Sequence, residues 1–181
     1  MIISAGRNEI FDFALPMGVG LVDMSINLTK FLCENRQSLP SEIIFVGSAG
    51  LYKEGKILKI YESRSAANCE ISALYELSYS PISYEIIARN STNVSYETII
   101  NSSNFITTDK KSALKFFERG YFLENMEFFS VLKVAQKFQI PAYGIFCATN
   151  FCDSNAHANF LKNHAAAKKN LTKYLKTKAL I

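Results

Sequence analysis

The chain has 181 residues, of which 49% are hydrophobic and 20% charged, with a formal net charge of +4. One domain of this length has enough apolar surface to build a core, and the composition excludes a disordered chain. No apolar run reaches the ~18–20 residues that span a bilayer, and "MIISAGRNEIF" lacks a basic start followed by an apolar stretch, so a cytoplasmic protein without membrane contact is expected.

In chain order, "MIIS" reads as a short buried strand ending near Gly6, and Phe11 to Pro16 as a second strand leading to Gly18-Val19-Gly20. From Leu21 to Cys33, Val22, Ile26 and Leu28 with Phe31 and Leu32 approximate one helical face. Pro40 and Ser41 punctuate, and "EIIFVGSAG" follows as a continuous apolar strand entering a Gly47-Ser48-Ala49-Gly50 turn. A strand apolar on both faces belongs in a parallel or mixed sheet covered by helices on both sides. Between Lys53 and Ile106 the strand candidates are "KILKIYES", "YEIIARN" and "YETIINSSNFIT". Asp109 is placed to cap a helix over "KKSALKFFER" that Gly120 would end. Met126 to Phe138 has helical spacing at Phe128, Leu132, Ala135 and Phe138, and Ile140-Pro141 starts the strand "AYGIFCA". Asp153 or Ser154 can cap a last helix running toward Leu180. Neither a repeat nor a linker interrupts this order, so the expected fold is α/β: a single three-layer domain over residues 1–181, a central mixed β-sheet flanked by helices.

Cys33, Cys69, Cys147 and Cys152 form no CxxC and read as buried thiols of a reducing compartment. His157 and His164 lack companion ligands for zinc, so no metal is expected. The lysines at 162, 168, 169, 173, 176 and 178 fit the solvated face of the last helix, and without interleaved aromatics they give no reason to expect nucleic acid.

Four places could carry chemistry. The Gly47–Gly50 segment can bring backbone and the Ser48 hydroxyl to an anion, although a strand exit would need no more than this. Arg7, just after the first strand, could offer a guanidinium at the same sheet edge, or stand free on the surface. Glu127 lies between Met126 and two phenylalanines. Buried, it needs hydrogen-bond donors such as a pair of sugar hydroxyls; exposed, it merely suits the first turn of a helix. "CATN" puts Thr149 and Asn150 at a strand's carboxyl end, where open α/β sheets bind ligands, and Phe105 in "NSSNFIT" could offer a stacking surface or a core side chain.

Taken in order, these pieces resemble the nucleoside phosphorylase and nucleosidase family. "PMGVGLVDMSINLTKFL" is similar to its Gly-x-Gly segment and following helix, and "IIFVGSAG" to its strand and Gly-Ser-Ala-Gly stretch. "NSSNFI" stands where members carry Ser-Gly-Asp-x-Phe, and "ENMEFFSVLKVAQKFQIPAYGIFCATN" is similar to the Glu-Met-Glu helix and the strand reaching the catalytic Asp or Asn. The sequence departs from the pattern at Asn125, at Ser102-Ser103, in a shortened connection between the first two strands, and at Asn150 where aspartate is common.

The resemblance implies a phosphorylase-like fold and cleavage of the N-ribosidic bond of a purine nucleoside. It assigns Glu127 to the ribose hydroxyls, Met126 to the sugar face, Phe105 to stacking on the base and Asn150 to N7 of the leaving base. It places Ser48 and Arg7 at the nucleophile, and Gly18 and Gly20 along the ribose and nucleophile side. An arginine and a serine together suit phosphate as co-substrate, with no further cofactor, so the leading expectation is a purine nucleoside phosphorylase. An asparagine donates a hydrogen bond and no proton, which tilts the base toward a 6-oxopurine. A hydrolytic nucleosidase of the methylthioadenosine or S-adenosylhomocysteine type is the alternative, as is a nucleoside-binding subunit without turnover. The family resemblance also implies a homo-oligomer, at least a dimer.

Overall fold

The computed structural model describes residues 1–88, 94, 95 and 97–181. Its strands are β1 (Ile2–Ser4), β2 (Leu15–Pro16), β3 (Ile43–Leu51), β4 (Ile60–Ser63), β5 (Ser65–Ala67), β6 (Glu85–Ile87), β7 (Ile99–Ser102), β8 (Tyr121–Asn125) and β9 (Ala142–Phe151). Its α-helices are α1 (Gly20–Glu34), α2 (Ile71–Leu74), α3 (Lys110–Glu118), α4 (Phe128–Phe138) and α5 (Ala156–Thr177).

The strands form one mixed sheet built on β3 and β9, which run parallel from Ile43 beside Ala142 to Leu51 beside Phe151. Alternation along β3 shows why both are apolar throughout. Ile43 and Phe45 join Met24, Leu28, Leu32, Phe128 and Leu132 under α1 and α4, while Ile44 and Val46 join Ala167, Leu171 and Leu175 under α5. The expected three layers are present.

Several elements differ from the sequence reading. The Phe11–Pro16 strand shrinks to Leu15–Pro16, because Phe11 turns into the core under α5, with its ring centroid 5.1 Å from that of Phe13. The Gly-Ser-Ala-Gly segment is not a turn: β9 supplies a partner throughout, so β3 continues to Leu51 with only a register shift at Ala49/Gly50. Residues 121–125 form a strand, and the helix expected from Met126 starts at Phe128; β7 and β8 pair in parallel, and β8 meets the end of β3 antiparallel. Asp109 caps α3 by accepting the Ser112 N–H at 2.8 Å. Neither Asp153 nor Ser154 caps α5; Asn155 stands at that position, and Asp153 accepts its N–H at 2.8 Å. The strand expected over 84–90 is described as Glu85–Ile87, and its residues Arg89 and Asn90 lie outside the described residues, as does Tyr96 of the next one.

Candidate active site

A cavity of about 400 Å³ opens at the carboxyl ends of β3 and β9. This is the end of a parallel sheet where loops diverge and ligands are held. One edge of β3 is taken by β9 along its whole length. The other edge is split: β1 pairs with Ile44 and Phe45, and β8 with Gly50 and Leu51. Ser48 falls in the gap, and its N–H has no strand partner there.

Glu9 fills that gap. Its Oε1 accepts the Ser48 N–H at 2.7 Å and the Ser48 hydroxyl as well. The turn after β1 aims it there: the Glu9 N–H donates to the Gly6 carbonyl at 2.9 Å, with Arg7 between them at φ +51°. A Cβ at Gly47 would stand 2.8 Å from Glu9 Oε2 and 3.0 Å from the Phe45 ring, so a side chain there would push the carboxylate out. Glu9 was missed in the sequence. Its only signal was a lone carboxylate closing a short turn after a buried first strand.

Glu127 faces the same cavity and is 5% exposed. Its Oε1 accepts the Gly20 N–H at 2.9 Å, and its Oε2 accepts Asn125 Nδ2 at 3.0 Å and the Met126 N–H at 3.2 Å. One carboxylate thus caps the first turn of α1 while standing at the start of α4. Its pKa is pushed up to about 8, chiefly by burial and then by the nearby charge of Glu9, with the N–H groups of Gly20 and Met126 pulling the other way. Burial likewise raises Glu9, against the two hydrogen bonds from Ser48. Asn125 organises the junction: its Oδ1 accepts from Ser102 Oγ at 2.8 Å and from the Phe128 N–H at 3.2 Å.

Asn150 is buried on the cavity wall, with its Oδ1 accepting from Thr149 Oγ1 at 2.8 Å and its Nδ2 donating to the Phe151 carbonyl at 3.0 Å. That leaves one N–H of the amide. Gly50, beside Asn150 in the ladder, has no room for a Cβ, which would stand 3.0 Å from Asn150 Nδ2 and 2.8 Å from Cys152 Sγ.

The structure therefore brings Arg7, Ser48, Met126, Glu127 and Asn150 to one cavity, and adds Glu9, Glu124, Thr149, His157 and Phe160. Gly20 reaches it only through its N–H on Glu127, and Val19 rather than Gly18 forms the wall. Phe105 is not brought to this cavity: it is 75% exposed and borders a smaller one beside Cys69 and Phe116, while its neighbour Ile106 lines the larger. Among the described residues, no group of His, Cys, Asp or Glu could hold a metal ion, and no helix is long and apolar enough to cross a membrane.

No protein-family model and no curated protein sequence matches the chain. Solved structures do. A futalosine hydrolase mutant of Helicobacter pylori superposes with a TM-score of 0.79 at 19% identity, covering 97% of this chain and 95% of the other. An MTAN mutant of the same organism, with 5′-methylthioadenosine in its active site, gives 0.78 at 19% identity over the same shares. The 5′-methylthioadenosine/S-adenosylhomocysteine nucleosidase of S. pneumoniae, with a transition-state inhibitor, gives 0.75 at 12% identity, covering 96% and 95%. The chain has the α/β fold of these enzymes, the one that its sequence motifs led us to expect.

Proposed function

We propose that this protein is a hydrolytic purine nucleosidase, cleaving the N-ribosidic bond with water rather than phosphate. The observation that carries this reading is Glu9, locked onto Ser48 in a cavity that Glu127 also faces. Phosphorolysis would need the Ser48 donors free for an anion, and they are spent on a carboxylate. A phosphate entering here would meet the acidic side chains Glu9, Glu124 and Glu127, with the exposed Arg7 on the same cavity wall. A water molecule is what a carboxylate can orient and deprotonate. The hydrolase and nucleosidases of the same fold agree with this choice.

The remaining roles follow from the chemistry of the bond. Breaking it builds positive charge on the sugar and negative charge on the departing base. Glu127 and Met126 hold the ribose, with the Glu127 carboxyl exchanging hydrogen bonds with its hydroxyls. Glu9 takes the proton of the attacking water. Asn150 gives its remaining N–H to N7 of the base, which favours a 6-oxopurine, because that base leaves with a hydrogen bond where an aminopurine needs a full proton. The working unit is a homo-oligomer. The test is chromatographic detection of free base from a panel of inosine, guanosine, adenosine and 5′-methylthioadenosine, with and without phosphate. Release independent of phosphate, with ribose as co-product, supports the reading. Ribose 1-phosphate would restore the phosphorylase, and binding of a nucleoside without release would leave a binding subunit.

A further inference from the structure

Asn150 stands where the leaving base is expected, and a carboxamide has no proton to give. A purine expelled as an anion still gains from receiving one, so a proton donor elsewhere on the cavity wall would speed its departure. We propose that His157 is that donor, the catalytic acid that protonates the departing base. This rests on the nucleosidase reading above.

The geometry is as follows. Thr149 and Asn150 end β9 at the cavity, and α5 begins over them with His157 and Phe160 on the wall. Helix α5 is fixed to that strand end by Asn163, whose Nδ2 donates to the Thr149 carbonyl at 2.8 Å. His157, Phe160 and Asn163 follow at three-residue steps, so the anchor and the imidazole belong to neighbouring turns of one helix. The Phe160 ring lies beside His157, with centroids 6.4 Å apart and planes at 27°, and both line the cavity. His157 is exposed, so it can recharge its proton from solvent after each turnover. The charged groups sharing the cavity with it are Arg7, Glu9, Glu124 and Glu127; Asp153 precedes it on its own segment, and His164 lies beyond Phe160.

The step balances without a further reagent. Water oxygen forms a bond to the anomeric carbon and passes its proton to the Glu9 carboxylate. The C–N bond breaks with its electron pair going to the base, and the imidazolium N–H proton of His157 moves to a nitrogen of that base. Glu9 and His157 then return to their starting states by exchange with solvent.

The experiment compares two substrates in wild type and in His157→Gln: inosine, whose departing base gains from receiving a proton, and p-nitrophenyl riboside, whose phenolate leaves without one. The ratio of kcat/KM for p-nitrophenyl riboside to that for inosine should rise about 10²-fold in the variant, the usual weight of a general acid. In wild type the inosine rate relative to the nitrophenyl rate should fall as pH rises, and in the variant it should be flat. Glu9 and Glu127 act on both substrates, so their titrations cancel from this ratio. A ratio equal in the two proteins overturns the role of His157 while leaving the nucleosidase intact, and so does an equal loss on both substrates. If wild type cleaves neither substrate, the nucleosidase reading itself falls, and the acid with it.

Discussion

Glu124 and Glu127 stand three residues apart, both 5% exposed and, among the described residues, in no salt bridge, yet they are solved differently. Glu124 is closed by its own surroundings: Oε1 takes the Thr107 N–H at 2.8 Å and the Cys152 thiol at 3.8 Å, while Oε2 takes the Tyr52 hydroxyl at 3.0 Å and the Thr107 hydroxyl. Tyr52 in turn accepts from Asn101 Nδ2 at 3.0 Å. The donors come from three parts of the chain, so this carboxylate fastens the loop after β7 to the ends of β3 and β9. Glu127 is held by backbone and Asn125 on one side and feels the charge of Glu9 across the cavity. The difference is a physical signature. A carboxylate saturated with fixed donors serves the fold, and one facing a second carboxylate across open space is arranged for chemistry.

The sharpest way to break this comparison is to remove the second carboxylate. Glu9→Gln should lower nucleoside hydrolysis by about 10³-fold, within the range for loss of a general base, with circular dichroism and urea midpoint close to wild type. Activity close to wild type would leave Glu127 as buried structure and end the distinction.

Glu124→Ala should do the opposite. It strands the Thr107 N–H and the Tyr52 and Thr107 hydroxyls in the interior, costing about 3 kcal/mol of stability by urea unfolding, with Glu124→Gln losing less. A variant as stable as wild type would show that the network is dispensable.

Glu127 sharpens the contrast through pH. Burial raises its pKa from the ordinary carboxyl value of about 4.5 to about 8 in the folded protein, so the folded state holds a proton there that the unfolded chain has released. No penalty exists below about pH 4.5; stability then falls as pH rises and the loss is complete above about pH 8, amounting to a few kcal/mol. Glu9 and Glu124, also raised by burial, slope the same way. Denaturant unfolding from pH 5 to 9 should show the decline, and Glu127→Gln should flatten it; equal slopes in both proteins would mean that the carboxyl ionises freely.

The smallest expected effect is at Asn150. Asn150→Asp should raise the kcat/KM ratio of adenosine to inosine by about tenfold, more at lower pH, because a protonated carboxyl can give N7 a full proton. A flat ratio would move Asn150 away from the base.

Several parts of this site were readable in the chain because local pattern reports them. Apolar runs of strand length made β3 and β9 visible. Spacing at Phe128, Leu132 and Ala135 made α4 visible, and Asp109 announced α3 by its own capping bond. The family resemblance carried by the order of the motifs put Ser48, Met126, Glu127 and Asn150 in one site, and the structure brings them to one cavity. β8 was not readable, since "YFLEN" has no alternation and becomes a strand only because β7 and the end of β3 offer it hydrogen bonds.

What the sequence determined alone is the layered α/β plan, which follows from periodicity and turn chemistry within a few residues, together with the positions of Ser48, Met126, Glu127 and Asn150, which the family resemblance of their motifs marked. What tertiary structure decided is which polar groups meet across it. Glu9 reaches Ser48 over 39 positions, Glu127 reaches Gly20 over 107, and Phe105 is left outside the cavity while Ile106 lines it. Whether a buried carboxylate holds structure or faces a substrate depends on donors supplied by distant segments, and only the closed fold brings those segments within hydrogen-bond reach.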